Sequence, residues 1–211
     1  MRIEIISPQD FTSKTADKVY RFRYENFVVG AHMPDSYADH DRHMLYDPLD
    51  AMGHQVIAFD TDNKVIGVVR INTVAAGLSD DIVALHQLSE LDPRFATRCA
   101  ISSRLVVDPA YRNTTMPANL AVGGLKVMRR HGCSWCVICC DPQNVPFFNK
   151  LGFERFVDEI QHPDFGASAL MKYNVASPPV DGKKIARYIA KQAIAEEMPG
   201  TQNDDQSAVS A

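Results

Sequence analysis

Two arginines stand beside or inside runs of apolar residues, where a positive charge has few neighbours to pair with. Arg70 lies within the run 67–71, and Arg104 stands directly before the apolar run 105–107. A buried guanidinium without a partner costs several kcal/mol, so each arginine is expected to meet a carboxylate. This expectation points to a polar centre that is built into an otherwise apolar sheet.

Asp47 and Asp50 are the carboxylates that we consider as partners, and capping of a turn is their ordinary alternative role. Salt bridges from Arg70 and Arg104 could hold this acidic loop over a sheet. Alternatively, one guanidinium could grip the carboxylate of a substrate in a bidentate manner. Both arrangements can coexist, and we expect Arg104 to be mainly structural and Arg70 to face the substrate.

A second chemical feature is the polar loop 112–117, which ends with Pro117, a residue suited to opening a helix. The free backbone N–H groups and the dipole at a helix start bind an anion without a dedicated side chain. The loop is therefore a candidate site for phosphate.

Two linked motifs around this loop resemble the second half of the GNAT acyltransferase fold. The matching residues of V-x-P-x-Y-R and N-x(7)-G-F are Val107, Pro109, Tyr111, Arg112, Asn144, Gly152 and Phe153. The resemblance implies that the loop receives the phosphopantetheine arm of an acyl thioester. An ordinary strand–helix–strand unit of another α/β protein is the alternative interpretation.

The chain departs from the GNAT pattern at two places that bear on the donor. Thr115 and Pro117 occupy positions where the family loop has glycine or alanine, which weakens a tight grip on a diphosphate. Phe148 stands where many GNATs carry the tyrosine that protonates the departing thiolate. The donor is therefore expected to differ from ordinary acetyl-CoA.

The N-terminal half resembles the N-acyl amino acid synthases and the related acyl-homoserine-lactone synthases, over about residues 1–175. Those enzymes move a medium or long fatty acyl chain onto an amine. The residues that carry the resemblance are Arg23 and Phe27 in R-x-x-x-F, Asp47 and Asp50 in D-x-x-D, Arg70 in G-x-x-R, and the pair Ser103-Arg104. This pattern implies an N-acyltransferase.

The lactone synthases carry a glutamate two residues before that serine and a tryptophan after the first helix. This chain has Ile101 at the first position, and only His32 and Met33 near the second. These differences disfavour an S-adenosylmethionine acceptor and favour the amino-acid branch. The three rival functions are an N-acyltransferase, a signal synthase and a GNAT-like binding module without activity.

The resemblance implies site residues with three roles. The catalytic set is Asp41, Asp50, Arg70 and Arg104. The donor thioester, on acyl carrier protein or coenzyme A, would contact Leu105, Val106, Val107, Arg112, Asn113, Thr114, Thr115, Asn144 and Phe148. The small-molecule amine would contact Arg23, Phe27, Asp47 and Ser103. A backbone N–H of strand 105–107 would hold the oxyanion, and a general base would take the amine proton.

The first candidates for that base are Asp41 and Asp50, and the second candidates are His40 and Glu90. His40 and His43 flank Asp41 in a way that suggests a metal ion, but a third ligand at helical spacing is missing from the motif. We therefore predict no metal in this loop.

The cysteines cluster in the sequence, and we interpret them as residues that pack in the apolar core. Four of the five fall within residues 133–140, and the segment 135–140 is typical of a buried strand, where a free cysteine packs as a small hydrophobe. Their odd number and the lack of a signal peptide favour a reducing, cytoplasmic environment.

The order of predicted elements favours the α/β (α+β) class, with one GNAT-like domain over residues 1–175. We expect a central mixed, twisted sheet with helices on both faces, then a linker and C-terminal helix over 176–198 and a disordered tail over 199–211. The predicted elements are strands at 1–6, 54–60, 65–72, 105–107 and 135–140, and helices at 13–29, 82–89, 118–131, 145–151 and 183–197.

The charge balance limits the partners. A net charge of −4 without a broad basic excess argues against nucleic acid, and no apolar run approaches the length of a membrane span. Lys126, Arg129 and Arg130 cluster at the end of the central helix, where they either favour the helix dipole or dock an acidic acyl carrier protein. The C-terminal helix could also pack on a second subunit, which would make a homodimer.

Overall fold

The protein structure, a computed structural model, describes residues 1–33, 36–92, 94, 98–163, 165–179 and 183–195. The strands of this part are β1 (Arg2–Ile6), β2 (Ala38–Asp39), β3 (Met44–Leu45), β4 (His54–Phe59), β5 (Val65–Thr73), β6 (Cys99–Val107), β7 (Trp135–Cys140), β8 (Glu154–His162) and β9 (Gly166–Asn174). The α-helices are α1 (Ser13–Arg23), α2 (Asp80–Leu85), α3 (Met116–Arg130), α4 (Val145–Leu151) and α5 (Lys184–Ala195). The predicted disordered tail lies outside the described residues.

Seven strands form one mixed sheet in the order β1-β4-β5-β6-β7-β9-β8, and β2 and β3 form a separate hairpin. Every neighbouring pair in the large sheet is antiparallel except β6 and β7. A parallel pair needs a crossover, which α3 supplies. The predicted mixed α/β fold is confirmed.

Helices cover both faces of this sheet. Helix α3 buries Leu120 and Leu125 against one face, while α1 buries Val19 and Phe22 against the other. Helix α5 packs on α3 through an apolar stripe that includes Ile189, which is 2% exposed. The alternation of apolar residues along each element therefore decides which layer it joins.

The first helix is α-helical only as far as Arg23 and continues as a π-helix over Tyr24–Val29. The side chain of Asn26 donates from Nδ2 to the carbonyl oxygen of Phe22 at 2.9 Å. This bond offers the Phe22 carbonyl a partner outside the regular backbone pattern, and the ladder widens there. The prediction of one helix over residues 13–29 missed this change.

A β-bulge interrupts the pairing of β5 with β6. Arg70 pairs with Ser103 and Val68 with Val106, so Val69 alone faces two residues of β6. One of those two is Arg104, which has a φ of +56°. A non-glycine residue in the left-handed region is strained, and such strain clusters at functional sites.

The parallel strands β6 and β7 separate beside this bulge. Their pairing ends at Ile101 with Val137, although β6 continues to Val107 and β7 to Cys140. The diverging halves leave an opening in the sheet, where the backbone of β6 is not paired with the backbone of β7. An extended ligand can use such groups as a strand would.

Several elements were not predicted from the sequence. Strands β8 and β9 and the β2–β3 hairpin were missed, and the hairpin falls where a polar loop was expected. Strand β8 is an edge strand of the sheet and keeps many exposed side chains, so it carries a weak apolar signal. No helix in the described ranges is long and apolar enough to cross a membrane.

Candidate active site

A network of buried charges lies beside the bulge, with Asp47 at its centre. Arg70 grips Asp47 in a bidentate manner, with Nη1–Oδ1 at 2.7 Å and Nη2–Oδ2 at 3.0 Å. Arg104 donates from Nη2 to Asp47 Oδ2 at 2.9 Å, and Arg70 Nε donates to Ser103 Oγ at 3.1 Å. Both arginines thus meet a carboxylate, and the expected salt bridges to the acidic loop are present.

A second half of the network joins Arg23 of α1 to Asp50. Arg23, which is 0% exposed, donates from Nη1 to Asp50 Oδ1 at 2.8 Å and from Nη2 to Gln55 Oε1 at 2.7 Å. Gln55 Nε2 donates in turn to Asp50 Oδ1 at 3.0 Å, and Arg70 Nη1 lies 3.0 Å from the same oxygen. The network therefore ties α1, β4 and β5 to the acidic loop.

The acidic loop is itself shaped by its two aspartates. Asp47 accepts a hydrogen bond from the backbone N–H of Leu49, and Asp50 Oδ2 accepts one from the backbone N–H of Asp47 at 3.0 Å. Together these bonds form a capping box around a short 3-10 turn that starts at Pro48. The aspartates are turn caps and salt-bridge partners at once.

Electrostatics keeps both carboxylates ionised. Burial alone would raise the pKa of Asp50, but Arg23 and Arg70 outweigh it and lower that pKa to about 2. For Asp47, burial opposes the same effect of Arg70, and its pKa also falls below the ordinary value. Carboxylates so strongly held as anions are poor proton acceptors near neutral pH.

Which of the two arginines faces the substrate stays a prediction, but their surroundings differ. Arg70 is 1% exposed and directs its guanidinium at Asp47, Asp50 and Ser103, which is the arrangement of a structural residue. Arg104 instead stands on the bulge at the opening between β6 and β7. The reason is the register of β5, which turns Arg70 under the acidic loop.

Gln55 is the member of this network that sequence reasoning missed. It lies fully buried in β4, between His54 and the apolar residues 56–59. A single polar side chain in a strand of this kind is a signal that could have been used. Its amide both accepts from Arg23 and donates to Asp50, which neither a carboxylate nor an amine can do.

The predicted anion-binding loop does precede a helix start, but several of its groups are already engaged. Arg112 Nε donates to the carbonyl of Val107 at 3.0 Å, which fixes the turn to the end of β6. Thr114 Oγ1 accepts from the backbone N–H of Met116 at 3.1 Å. Pro117 has no N–H to offer, so fewer donors remain than in a glycine-rich loop.

An apolar cavity of about 40 Å³ lies beside the bulge, where Val69 and Leu105 are among its lining residues. It has space for roughly three water molecules, so a fatty chain requires further movement of the lining. The lining comes from β5, β6, β9, α3, α4 and α5 and consists of Val69, Ile71, Ser102, Leu105, Ala121, Gly124, Leu125, Met128, Phe148, Leu151, Phe153, Tyr173 and Ile189. Two of the predicted donor contacts, Leu105 and Phe148, are thus brought together.

The other residues that we predicted for the donor and acceptor sites do not line this cavity. Val106 and Val107 are buried in the two apolar layers, Phe27 is half-buried against the α1 layer, and Asn144 is exposed before α4. Asn113 and Thr115 are exposed in the loop before α3.

The candidate bases lie at the surface, apart from Asp50. Asp41 is exposed in the turn of the β2–β3 hairpin, and Glu90 is exposed after α2. His40 Nδ1 lies 2.9 Å from the hydroxyl of Tyr24, and the His43 ring stacks on the same tyrosine. In the described part of the chain, no three His, Cys, Asp or Glu side chains are grouped closely enough to hold a metal ion.

The cysteines occupy the predicted strand and its surroundings. All five are free, and four of them, including Cys136 on β7, are buried. Burial raises the pKa of Cys133 to about 11 and moves that of Cys136 in the same direction. These thiols therefore stay protonated and pack as apolar groups, as the sequence predicted.

The mixed sheet, with its bulge and its separated parallel strands, has the architecture of the GNAT-like acyltransferases. Residues 18–174 match the family described as N-acyl amino acid synthase FeeM, and the chain belongs to this family. The resemblance seen in the sequence is thereby confirmed. Among curated proteins, no sequence matches this chain.

Solved structures of related folds agree with this assignment. FeeM, an N-acyl amino acid synthase from uncultured soil microbes, superposes with a TM-score of 0.61 at 15% identity, over 84% of this chain and 97% of that chain. MesI, a CoA-dependent acyl-homoserine lactone synthase, gives 0.64 at 18% identity, over 94% and 97%. An acyl-CoA N-acyltransferase from Pseudomonas aeruginosa gives 0.60 at 16% identity, over 82% and 99%. At these identities the likeness shows the shared fold.

Proposed function

We propose that this protein transfers a medium- or long-chain fatty acyl group from a thioester to the amine of an amino acid or peptide. The observation that carries the proposal is the apolar cavity beside the bulge, lined by Val69 and Leu105, next to the point where β6 and β7 separate. A thioester laid along β6 would place its carbonyl at the bulge and its hydrocarbon chain in the cavity. Family membership supports the same reaction.

The transfer is a direct attack. The neutral amine adds to the thioester carbonyl, and a backbone N–H of strand 105–107 holds the oxyanion. The tetrahedral intermediate then expels the thiolate, while the amine proton passes to a base. Backbone donors that are fixed before the reaction stabilise such an oxyanion without reorganisation.

Asp50 does not suit the role of that base, because both of its oxygens accept hydrogen bonds within the buried network. Asp41 and His40, which lie in the exposed hairpin turn, remain the proposed candidates. Arg104, the arginine on the bulge, is the proposed contact for an acceptor carboxylate. Arg23, Asp47 and Ser103 support it through the network rather than by direct contact.

The donor is proposed to be held mainly through its phosphopantetheine arm. The loop before α3 has lost one N–H at Pro117, and a second is engaged by Thr114, so a diphosphate gains little there. A carrier-bound donor has a single phosphate and depends less on such a loop. This difference favours acyl carrier protein over coenzyme A.

A docking patch for the carrier is proposed at Lys126, Arg129 and Arg130. These residues lie in the last turns of α3, and about 1.5 Å of rise per residue puts Arg130 about 21 Å from Met116. Lys126 and Arg130 also line a polar groove between β1, α3 and α5. Carrier protein docked there would have to reach the opening across the length of the helix.

One experiment tests both parts of the proposal. Purified protein is incubated with acyl carrier protein, coenzyme A or pantetheine thioesters and a panel of amines with and without S-adenosylmethionine, and products are identified by mass spectrometry. We expect N-acyl amino acids or peptides. A lactone product would indicate the signal synthase, and no product with any donor would indicate a binding module.

The docking patch for the carrier is tested with variants in the same experiment. Charge reversal at Lys126, Arg129 and Arg130 should raise KM for the carrier-bound donor and leave the pantetheine thioester unchanged. An equal effect on both donors would remove the patch from the proposal, and equal wild-type activity with free acetyl-CoA would contradict the preference for a carrier-bound fatty donor.

A further inference from the structure

Tyr173 is a polar residue in the lining of the apolar cavity. It is 4% exposed, and its ring lies 5.3 Å from that of Phe153 between centroids. Its hydroxyl has no hydrogen-bond partner among the described residues. Buried tyrosine hydroxyls ordinarily have a hydrogen-bond partner, because an unpaired hydroxyl has lost its hydrogen bonds to water without replacing them. The orphaned group therefore points to a ligand.

The hydroxyl stays neutral. Burial raises the pKa of Tyr173 well above its ordinary value, and only a weaker effect of Arg129 opposes this. A neutral phenol both donates and accepts a hydrogen bond, so it can pair with an alcohol or a ketone. Ser102, the other hydroxyl-bearing residue in the lining, lies nearer the bulge.

The strand register places Tyr173 away from the bulge, where the thioester carbonyl is proposed to lie. Tyr173 pairs with Cys136, which pairs with Ala100, five residues before Leu105 of the bulge. At about 3.3 Å per residue, this separation is about 16 Å along β6. A group that meets Tyr173 therefore sits on the distal part of an acyl chain rather than next to its thioester.

We propose that Tyr173 selects the donor by bonding to an oxygen substituent on the distal part of the acyl chain. The preferred donor is then a hydroxy- or oxo-fatty acyl thioester rather than a plain hydrocarbon chain. This inference rests on the proposed acyl transfer and adds the substrate class. A chain that carries the oxygen gains a hydrogen bond in an apolar cavity, which a plain chain cannot make.

The test compares three pantetheine thioesters whose acyl chains have the same length. One chain is unsubstituted, one carries a hydroxyl at carbon 3, and one carries a hydroxyl near its methyl end. Wild-type protein should favour the distal hydroxyl over the plain chain by roughly tenfold in kcat/KM. Tyr173→Phe should bring this ratio close to one without lowering Tm, because it keeps the ring and removes only the unpaired oxygen. Tyr188→Phe is the matched control, since its hydroxyl donates to Asn119 outside the cavity, and it should keep the wild-type ratio.

A ratio near one in wild type, or a ratio that Tyr173→Phe leaves unchanged, would overturn the inference, and so would a preference for the 3-hydroxyl chain. If no donor is turned over at all, the proposed function has failed, and the inference is judged by binding alone. In wild type, the free fatty acid with a distal hydroxyl should then raise Tm more than the plain fatty acid does. In Tyr173→Phe, the two acids should raise Tm by the same amount. Equal shifts in wild type would overturn it.

Discussion

At the scale of single residues, the protein is organised by pairs of charges that the sheet encloses. Arg70, Asp47, Asp50 and Arg23 are each under 10% exposed, and every one of these side chains makes at least one charge-assisted bond. Such pairs contribute modestly while intact, because burying them also costs desolvation. Removing one partner is far more costly, since the other charge is left buried alone.

Arg70→Ala should lower the free energy of unfolding by about 3–5 kcal/mol, because Asp47 loses its bidentate partner. Arg70→Lys should restore little, since a lysine cannot form the planar fork. Urea unfolding measures both variants. Arg155→Ala is the control, because its ion pair with Asp158 is exposed and should be worth less than about 1 kcal/mol. A stable, fully active Arg70→Ala variant would contradict the structural role of this arginine.

The buried aspartate also predicts how stability depends on pH. The pKa of Asp50 falls from 3.8 to about 2 in the folded protein. Its contribution is therefore complete above pH 3.8 and is lost as pH falls toward about 2. The difference in pKa corresponds to roughly 2 kcal/mol.

Urea unfolding of wild type and Asp50→Asn between pH 6 and pH 2 tests this dependence. The stability gap between the two proteins should narrow as the pH drops below about 4. If Asp50→Asn does not fold, the carboxyl carbon shift of Asp50 in wild-type protein gives the same pKa by NMR. A difference in stability that stays constant with pH would contradict the proposed effect of Arg23 and Arg70 on the pKa of Asp50. An NMR titration midpoint near pH 4 would contradict it too.

At the scale of elements, we propose that the start of α3 selects the donor. The loop engages Met116 N–H through Thr114 and ends in Pro117, so it offers fewer donors to a diphosphate. The double substitution Thr115→Gly and Pro117→Gly restores backbone freedom and one N–H. It should lower KM for acyl-CoA several-fold and leave KM for a pantetheine thioester unchanged.

Steady-state kinetics with both donors measures this effect, and circular dichroism checks that the helix is retained. Asn113→Gly, which changes the same exposed loop at a position without a family glycine, is the control. Equal KM changes for both donors would show that the substitution acts on the fold rather than on the diphosphate.

At the scale of the whole molecule, the C-terminal helix completes the cavity although it lies beyond residues 18–174, which match the family. Helix α5 packs on α3, and Ile189 closes one wall. Removing residues 176–211 should lower Tm and abolish activity with long-chain donors, because the cavity then opens to solvent. Removing only residues 199–211 is the control and should change neither. A fully active protein that ends at residue 175 would show that α5 is not part of the site.

The sequence by itself determined the positions along the chain of the main helices and of five strands of the sheet. Apolar periodicity marked the helices, and Gly152, with a φ of +106°, ended α4 at the predicted place, whereas α1 and α2 ended earlier than predicted. It also determined that Arg70 and Arg104 must meet carboxylates, since a buried unpaired charge is too costly in any fold. These properties depend on neighbours along the chain or on the cost of burial alone.

Tertiary structure decided which charge meets which. Arg23 and Asp50 are 27 residues apart, and their pairing follows from how α1 lies on the sheet. Gln55 joins the network, and Arg70 reaches Asp47 and Asp50, because of strand register. The bulge at Arg104 and the orphaned hydroxyl of Tyr173 likewise depend on neighbouring strands and on packing. Local propensity cannot specify these contacts, because they join segments whose relative position is fixed only when the whole sheet has formed.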